Sequence, residues 1–424
     1  MAANKDILVI GAGLAGIEVS LLLAKAGRKV HLVEKQPYFG GAAIKSEEVT
    51  PNMECATCML APKQSEILES KNINLMTLSE VTKIQGEAGE FQVTVNKRAR
   101  YVNLEDCIGC GACYEPCPVE TLNAFEENMT KRKAIYVACA GALPNAPMID
   151  MKYCVRSKDQ NCTACKEACM FDAIVYDDQD KDVTINVGAI IIATGYALGD
   201  AGQFPEYGYH KIPGVFTAYE FERLRASNGP TGGEITLRNG QNPRSVAFIH
   251  CVGRDIKGYC SQCCCMYIAK FAHYAFDRLK DVKIYEFYRE ISIPGKRSQK
   301  FFQKVAAKGI NQIRSSNLSI AANGQNPGMR IEYQNANAEK KFVDVDMAVL
   351  APYIEPYPGT KELAMALGVE INDFGFIKTK VFDPVSTTRR GVLAIGCAQA
   401  PQFMHEVTLQ AHIAAGQALS LTED

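Results

Sequence analysis

Asp6-Ile7-Leu8-Val9-Ile10-Gly11-Ala12-Gly13-Leu14-Ala15-Gly16 runs from a short apolar strand straight into a glycine-punctuated turn. A helical pattern follows to Ala26, Gly27 closes it, and Lys29 to Val33 reads as a second strand ending at Glu34. Strand, turn, helix and strand in this register form a βαβ unit with the dinucleotide-binding fingerprint. Gly11 permits the tight turn, Gly13 lets the backbone approach a pyrophosphate, and Gly16 lets helix and strand close on each other. The helix start supplies N–H donors and a field that favours phosphate charge. Glu34, 18 residues past Gly16, is placed to accept hydrogen bonds from adenosine ribose hydroxyls. An ordinary glycine-rich turn is the bland alternative, and it has no need of the terminal acid.

Three later segments bear on which dinucleotide is held. Gly40-Gly41 follows Glu34 closely, and Val187 to Ile192 is a buried-type strand ending in Ala193-Thr194-Gly195. Near the C-terminus, Gly391-Val392-Leu393-Ala394-Ile395-Gly396 precedes a helix from about Glu406. Together these resemble the two-dinucleotide-domain flavoprotein family that includes thioredoxin and glutathione reductases. The resemblance implies FAD in one domain assembled from three separated stretches of chain. It implies cofactor contacts from Gly11, Gly13, Leu14, Ala15, Gly16, Glu34 and Lys35, then from Gly40, Gly41 and Val81. The later stretches would add Ala193, Thr194, Gly195, Gly396 and Cys397. That family usually has Asp after the last glycine; here Cys397 stands there.

The bulk properties exclude several classes. The chain of 424 residues is 47% hydrophobic with a net charge of −1, so neither a disordered tail nor a nucleic-acid footprint is expected. No apolar run approaches the ~20 residues needed to span a bilayer. The N-terminus lacks the basic, apolar and small-residue succession of a secretory signal, so a cytoplasmic location is expected, with membrane association only through partners. Seventeen cysteines are the anomaly. In a reducing compartment they argue for metal or redox use, and they fall in tight groups.

Cys107-x2-Cys110-x2-Cys113-x3-Cys117-Pro118 is the bacterial ferredoxin run, whose fourth cysteine usually reaches the other cluster of a pair. The partner motif is Cys154-x7-Cys162-x2-Cys165-x3-Cys169, with a stretched first spacing. Crossed ligation gives one 4Fe–4S cluster on Cys107, Cys110, Cys113 and Cys169, and another on Cys117, Cys154, Cys162 and Cys165. A structural zinc site is the alternative, and it fits separated CxxC pairs better than this run. Further on, Ser245 to His250 and Val282 to Tyr288 read as strands of a second nucleotide-binding domain. Between them a glycine-rich loop is missing. Cys251-Val252-Gly253-Arg254 and Tyr259-Cys260-Ser261-Gln262-Cys263-Cys264-Cys265-Met266 stand in its place, so NAD(P) is not expected there and a cluster is. The alternative is a set of buried free thiols, whose crowding would be hazardous without a metal.

Several runs resemble the heterodisulfide reductase A-type subunit family. They are Gly41 through Met53-Glu54-Cys55-Ala56-Thr57-Cys58-Met59-Leu60-Ala61-Pro62-Lys63, both ferredoxin motifs, the Tyr259 to Tyr267 segment, and Gly396-Cys397-Ala398-Gln399-Ala400-Pro401. The similarity spans nearly the whole chain. It implies a third cluster on Cys251, Cys260, Cys264 and Cys265, with Cys263 at a normally aliphatic position. It also implies that Lys270 lies near the flavin ring, where its charge favours an anionic reduced flavin. Full-length members carry further N- and C-terminal domains, so the chain reads as a short form. The partners implied are other subunits of a heterodisulfide reductase-like redox complex, the candidates including ferredoxin or a membrane quinone-linked subunit. Members of the family can bifurcate electrons at the flavin.

Cys55 and Cys58 leave a redox dithiol, half a cluster site, a partner contact and a structural role open, with a cluster or partner contact ranked above disulfide chemistry. His250, His273 and His405 read as packed or surface imidazoles. The expected architecture is α/β: a thioredoxin reductase-like FAD domain at 1–100, 185–240 and 372–424, a two-cluster ferredoxin insertion at 101–184, and a second Rossmann-like domain at 241–371. The expected activity is electron transfer between FAD, three 4Fe–4S clusters and partner subunits. A stand-alone NAD(P)H-dependent reductase and a non-catalytic iron–sulfur scaffold are the rivals.

Overall fold

The computed structural model describes residues 4–324 and 328–423. It divides into two compact units, one of Met1–Ile44, Met59–Tyr196 and Pro356–Asp424, the other of Lys45–Cys58 and Ala197–Glu355.

In the first unit the strands Ile7–Ile10, Val30–Val33 and Ala189–Ile192 bury every side chain. Short strands apolar on both faces belong in a parallel sheet covered on both sides. Ile7 pairs with Val30 on one side and Ala189 on the other. Ile73–Met76 and Val392–Ala394 extend the parallel sheet at its two ends, and Asp383–Thr387 adds antiparallel to the latter. Three distant stretches of chain thus meet in neighbouring strands. On one face the helix Leu14–Lys25 packs against Met404–Leu421, whose Ala411, Ala414 and Ala418 share a core with Ile17 and Leu21. The expected Val187–Ile192 strand divides at Gly188. Lys181–Val187 pairs antiparallel with Phe91–Lys97, and only Ala189–Ile192 enters the parallel sheet.

The cysteine-rich insertion of this unit has little regular structure. Thr121–Leu122 pairs with Lys131–Arg132, Ile135–Tyr136 pairs with Met148–Ile149, and Ala164–Glu167 makes one short helical turn. Its core combines Val102, Ile135, Ile149 and Ile174 with Cys113, Cys117, Cys154 and Cys165.

The second unit is built on a seven-stranded sheet. Val215–Thr217, Met347–Pro352, Ser245–Val252, Lys283–Tyr288 and Asn311–Ala322 run parallel, followed by an antiparallel pair, Met329–Asn335 and Lys340–Val345. The units change at 196/197 and 355/356, not at the expected 240 and 371. Val215 pairs with Ala348, which commits that stretch to the second sheet. Conversely, Ala364 and Leu367 of the helix Thr360–Leu367 join the core around Phe91, Val93 and Ile190. Residues 45–58 also belong to the second unit: the Glu47 N–H donates to Glu222 (2.9 Å) and the Ser227 N–H donates to the Glu47 carboxylate (2.8 Å). No helix among the described residues is long and apolar enough to cross a membrane.

Candidate cofactor sites

The glycine turn of the first unit is shaped by close backbone approach. Gly11 has φ +101°, and a Cβ there would stand 2.4 Å from the Ala193 carbonyl oxygen. A Cβ on Gly16 would stand 1.8 Å from the Gly11 oxygen, so helix and strand could not close. The Gly40 N–H donates to the Ala12 carbonyl (2.8 Å), which lays Gly41 against Gly13. Gly396 approaches Ala15 from the last strand–helix turn, and its N–H donates to Gln410 (2.7 Å). The fold therefore brings Gly11 to Gly16, Gly40-Gly41, Ala193-Thr194 and Gly396 together.

Several features of this cradle fit an FAD. The helix Leu14–Lys25 starts without a side-chain cap, leaving its first N–H groups for an anion. The buried Thr194 hydroxyl has no hydrogen-bond partner. Glu34 accepts from the N–H groups of Ala12 (2.8 Å) and Gln36 (2.9 Å), and its carboxylate keeps acceptor capacity for a ribose hydroxyl. Burial raises the Glu34 carboxyl, and the N–H bonds from Gln36, Ala12 and Lys35 oppose that rise. Cys397 is buried and its thiol is pushed up to about 11, chiefly by burial, so it stays neutral. The Lys35 N–H faces Glu34 while its ammonium pairs with Glu80 (3.3 Å), and Val81 packs against the core around Val93.

In the insertion, Cys117, Cys154, Cys162 and Cys165 line one pocket together with Ile135, Ile149 and Arg156. The Cys113 thiol is pushed up to about 12, first by burial and then by the charges of Cys165, Cys107 and Cys169. Burial likewise raises Cys154, which feels Cys117 and Cys162. Thiols so placed resist ionising beside one another and become ligands when metal ions offset their charge. Among the described residues no three donors close on a single point, as one isolated ion would require. A cubane held by four cysteines does not demand that convergence. Tyr176, which carries no signal in the sequence, sets its hydroxyl 3.2 Å from the Cys165 sulfur.

In the second unit Cys251 lies inside the strand Ser245–Val252, at a register shift between Ile249 and Val252 and with φ +59°. Such a bulge re-aims a side chain. Cys264 and Cys265 open the helix Cys264–Arg278 and are both buried. The charges acting on Cys264 are those of Cys265, Cys251 and Cys260, so the four thiols are neighbours. Contact with Cys265 and burial push the Cys264 thiol up, while the Cys265 thiol falls to about 4 through Cys264 and the nearby His250. The Ser292 N–H also donates to the Cys265 sulfur (3.4 Å).

His250 lies behind this nest. Its Nε2 meets Glu286 at 2.9 Å, while Nδ1 is buried with no hydrogen-bonding nitrogen or oxygen. Burial alone would lower the imidazole; Cys265 and Glu286 outweigh it and raise it to about 9. Lys270 is buried too. Its ammonium is bonded to the Glu222 carboxylate and donates to the Glu48 carbonyl (3.0 Å). Neither Glu222 nor Glu286 carries a sequence signal; each meets its partner from a different element.

An FAD-binding-domain family matches residues 6–47, and a 4Fe–4S-binding-domain family matches residues 100–123. The chain therefore carries an FAD-binding domain and a 4Fe–4S-binding domain. It is 36% identical over 429 residues to the A-type subunit of the H(2):CoB-CoM heterodisulfide,ferredoxin reductase of Methanothermobacter thermautotrophicus, covering 99% of this chain and 64% of that protein. It is 36% identical over 421 residues to the A-type iron-sulfur subunit of the CoB--CoM heterodisulfide reductase of Methanocaldococcus jannaschii, covering 97% and 63%. The chain thus spans a little under two thirds of these relatives. The thioredoxin reductase of Lactococcus lactis superposes with a TM-score of 0.55 at 16% identity, covering 99% of both chains, which identifies the two-dinucleotide-domain fold.

Proposed function

The chain belongs to the heterodisulfide reductase A-type subunit family, and from that premise we propose that it is the flavin and iron–sulfur relay of an oxidoreductase complex. FAD, when bound, links two-electron to one-electron transfer, and 4Fe–4S clusters carry single electrons. The protein's part is to hold these groups and set their potentials. Two clusters are assigned to the insertion, on Cys107, Cys110, Cys113 and Cys169 and on Cys117, Cys154, Cys162 and Cys165. A third is assigned to Cys251, Cys260, Cys264 and Cys265. Gly11, Gly13, Gly16, Glu34, Gly41, Thr194 and Gly396 are assigned to FAD.

The observation that carries this reading is the thiol nest itself. In a nucleotide-binding unit the first strand leads through a glycine turn to a helix whose start faces phosphate. Here the strand bulges at Cys251 and the helix opens on Cys264-Cys265. That start is occupied by sulfur, with no glycine cradle for a pyrophosphate. Lys270, the charge expected to favour the reduced flavin, is held by Glu222, so its field is that of a paired lysine.

The partners proposed are other subunits of such a complex and ferredoxin, which is named with the relative from Methanothermobacter thermautotrophicus. Anaerobic mixing tests the reading. Reduced ferredoxin is expected to bleach both flavin and cluster absorbance, while NADH and NADPH leave them unchanged. Rapid flavin reduction by NADH alone would overturn it in favour of a self-contained pyridine-nucleotide reductase.

A further inference from the structure

We propose that Cys55 and Cys58 form a surface dithiol that reduces disulfides by thiol–disulfide exchange, separately from the clusters. Glu48–Val49 and Glu54–Cys55 pair as a short antiparallel ribbon with Glu48 opposite Cys55. The chain then turns at once into the helix Ala56–Glu69. Cys55 stands where an N-cap residue stands: the Cys58 N–H donates to the Cys55 sulfur at 3.2 Å, as the third helical N–H does to a capping side chain. The Cys58 N–H is thus aimed at the Cys55 sulfur, which lies at the open end of the helix. Cys58, one turn on, is hydrogen-bonded to Cys55 and holds its proton more firmly for that reason. Both thiols are exposed.

That division of roles suits a two-step exchange. The Cys55 thiolate attacks one sulfur of an external disulfide; that S–S bond breaks and the first thiolate leaves. Cys58 loses its proton to solvent and attacks Cys55 of the mixed disulfide, expelling the second thiolate. The dithiol gives up two electrons and two protons and becomes an internal disulfide, while the external disulfide becomes two thiols. A dithiol reductant reverses the change on the protein.

The pair is held in place from below. Lys270 donates to the Glu48 carbonyl (3.0 Å) and the Ala56 N–H donates to the Glu47 carbonyl (2.9 Å). Its surroundings also select a substrate. Glu54 adjoins Cys55 in the ribbon, Glu48 lies opposite it, and the Glu47 charge acts on Cys58. Neutral or cationic aliphatic disulfides fit this site, and anionic ones are repelled.

The anaerobic, cluster-loaded protein is treated with cystamine, a cationic disulfide, then alkylated and mapped by mass spectrometry. The wild type is expected to form the Cys55–Cys58 disulfide and release two cysteamines per chain, with its iron unchanged, and dithiothreitol restores both thiols. Cys58→Ser stops at a cysteamine adduct on Cys55. Cys55→Ser loses on the order of tenfold or more in rate and keeps its iron. Dithiodipropionate, an anionic disulfide, reacts more slowly, and its rate rises with salt. The proposal is overturned if Cys55→Ser reacts at the wild-type rate or if Cys58→Ser carries no adduct on Cys55. Loss of iron from Cys55→Ser overturns it too, because the pair would then be cluster ligands. A dithiodipropionate rate that equals the cystamine rate and ignores salt removes the charge selection and the substrate class with it.

Discussion

In the insertion, Cys113, Cys117, Cys154 and Cys165 are themselves core residues, packed with a few small aliphatic side chains and almost no regular structure. In the second unit, Cys251, Cys264 and Cys265 sit at one end of a seven-stranded sheet with its own apolar interior, including Phe221, Phe248 and Phe271 in mutual contact. The two proposed ligand sets therefore rest on two different supports. A region whose core is thiols draws its cohesion from the metal, because binding energy there is folding energy. A region whose thiols decorate a folded sheet needs the metal for function only. Removing metal should separate the two.

The largest effect is expected from chelating iron under reducing conditions and following amide hydrogen exchange. Amides of 101–176 should approach free exchange, while Ser245–Val252 and Lys283–Tyr288 stay slow. Simultaneous loss of protection in both regions would break the contrast. Next comes Glu286→Ala, which leaves His250 buried without its partner. Breaking a buried pair costs about 3–5 kcal/mol, and both side chains are almost fully enclosed. The loss should appear as a lower denaturation midpoint for the second unit, with exchange in the insertion unchanged.

Glu34→Ala comes third. Losing a charge-assisted hydrogen bond to ribose should weaken FAD by roughly 1.5–3 kcal/mol, on the order of tenfold to a hundredfold in Kd. Fluorescence titration measures this, and cluster content should not move. Unchanged affinity would remove Glu34 from the cradle. The smallest effect is expected from Tyr176→Phe, which deletes the hydroxyl 3.2 Å from Cys165. With a cluster bound, that donor stabilises the reduced form, so its loss should lower one cluster potential with stability changed by only about 0.5–1.5 kcal/mol. An unaltered set of potentials in an EPR redox titration would show that the hydroxyl does not donate to a ligand sulfur.

The parts legible in the sequence were those written locally. The Gly11-x-Gly13-x-x-Gly16 turn, the strand at Val392 that completes the first sheet, and the cysteine spacings all follow from neighbours along the chain. Contacts between distant elements left no such pattern. Glu286 reaches His250 across paired strands, and Glu222 reaches Lys270 from another helix. The positive φ and register shift that re-aim Cys251 belong to the strand's pairing with Met347–Pro352. Val215–Thr217 is likewise too short to announce its sheet, and only pairing with Met347–Pro352 assigns it. The Cys55–Cys58 pair was visible as a motif, but its N-cap geometry was not.

Iron and acid-labile sulfide, counted together on anaerobically reconstituted protein, bear most directly on the replacement of a nucleotide loop by a third cluster. About twelve of each per chain are expected in the wild type and in Cys263→Ala, and about eight in Cys264→Ser. About eight in the wild type, or no loss in Cys264→Ser, would contradict a cluster at the Cys251, Cys260, Cys264 and Cys265 nest.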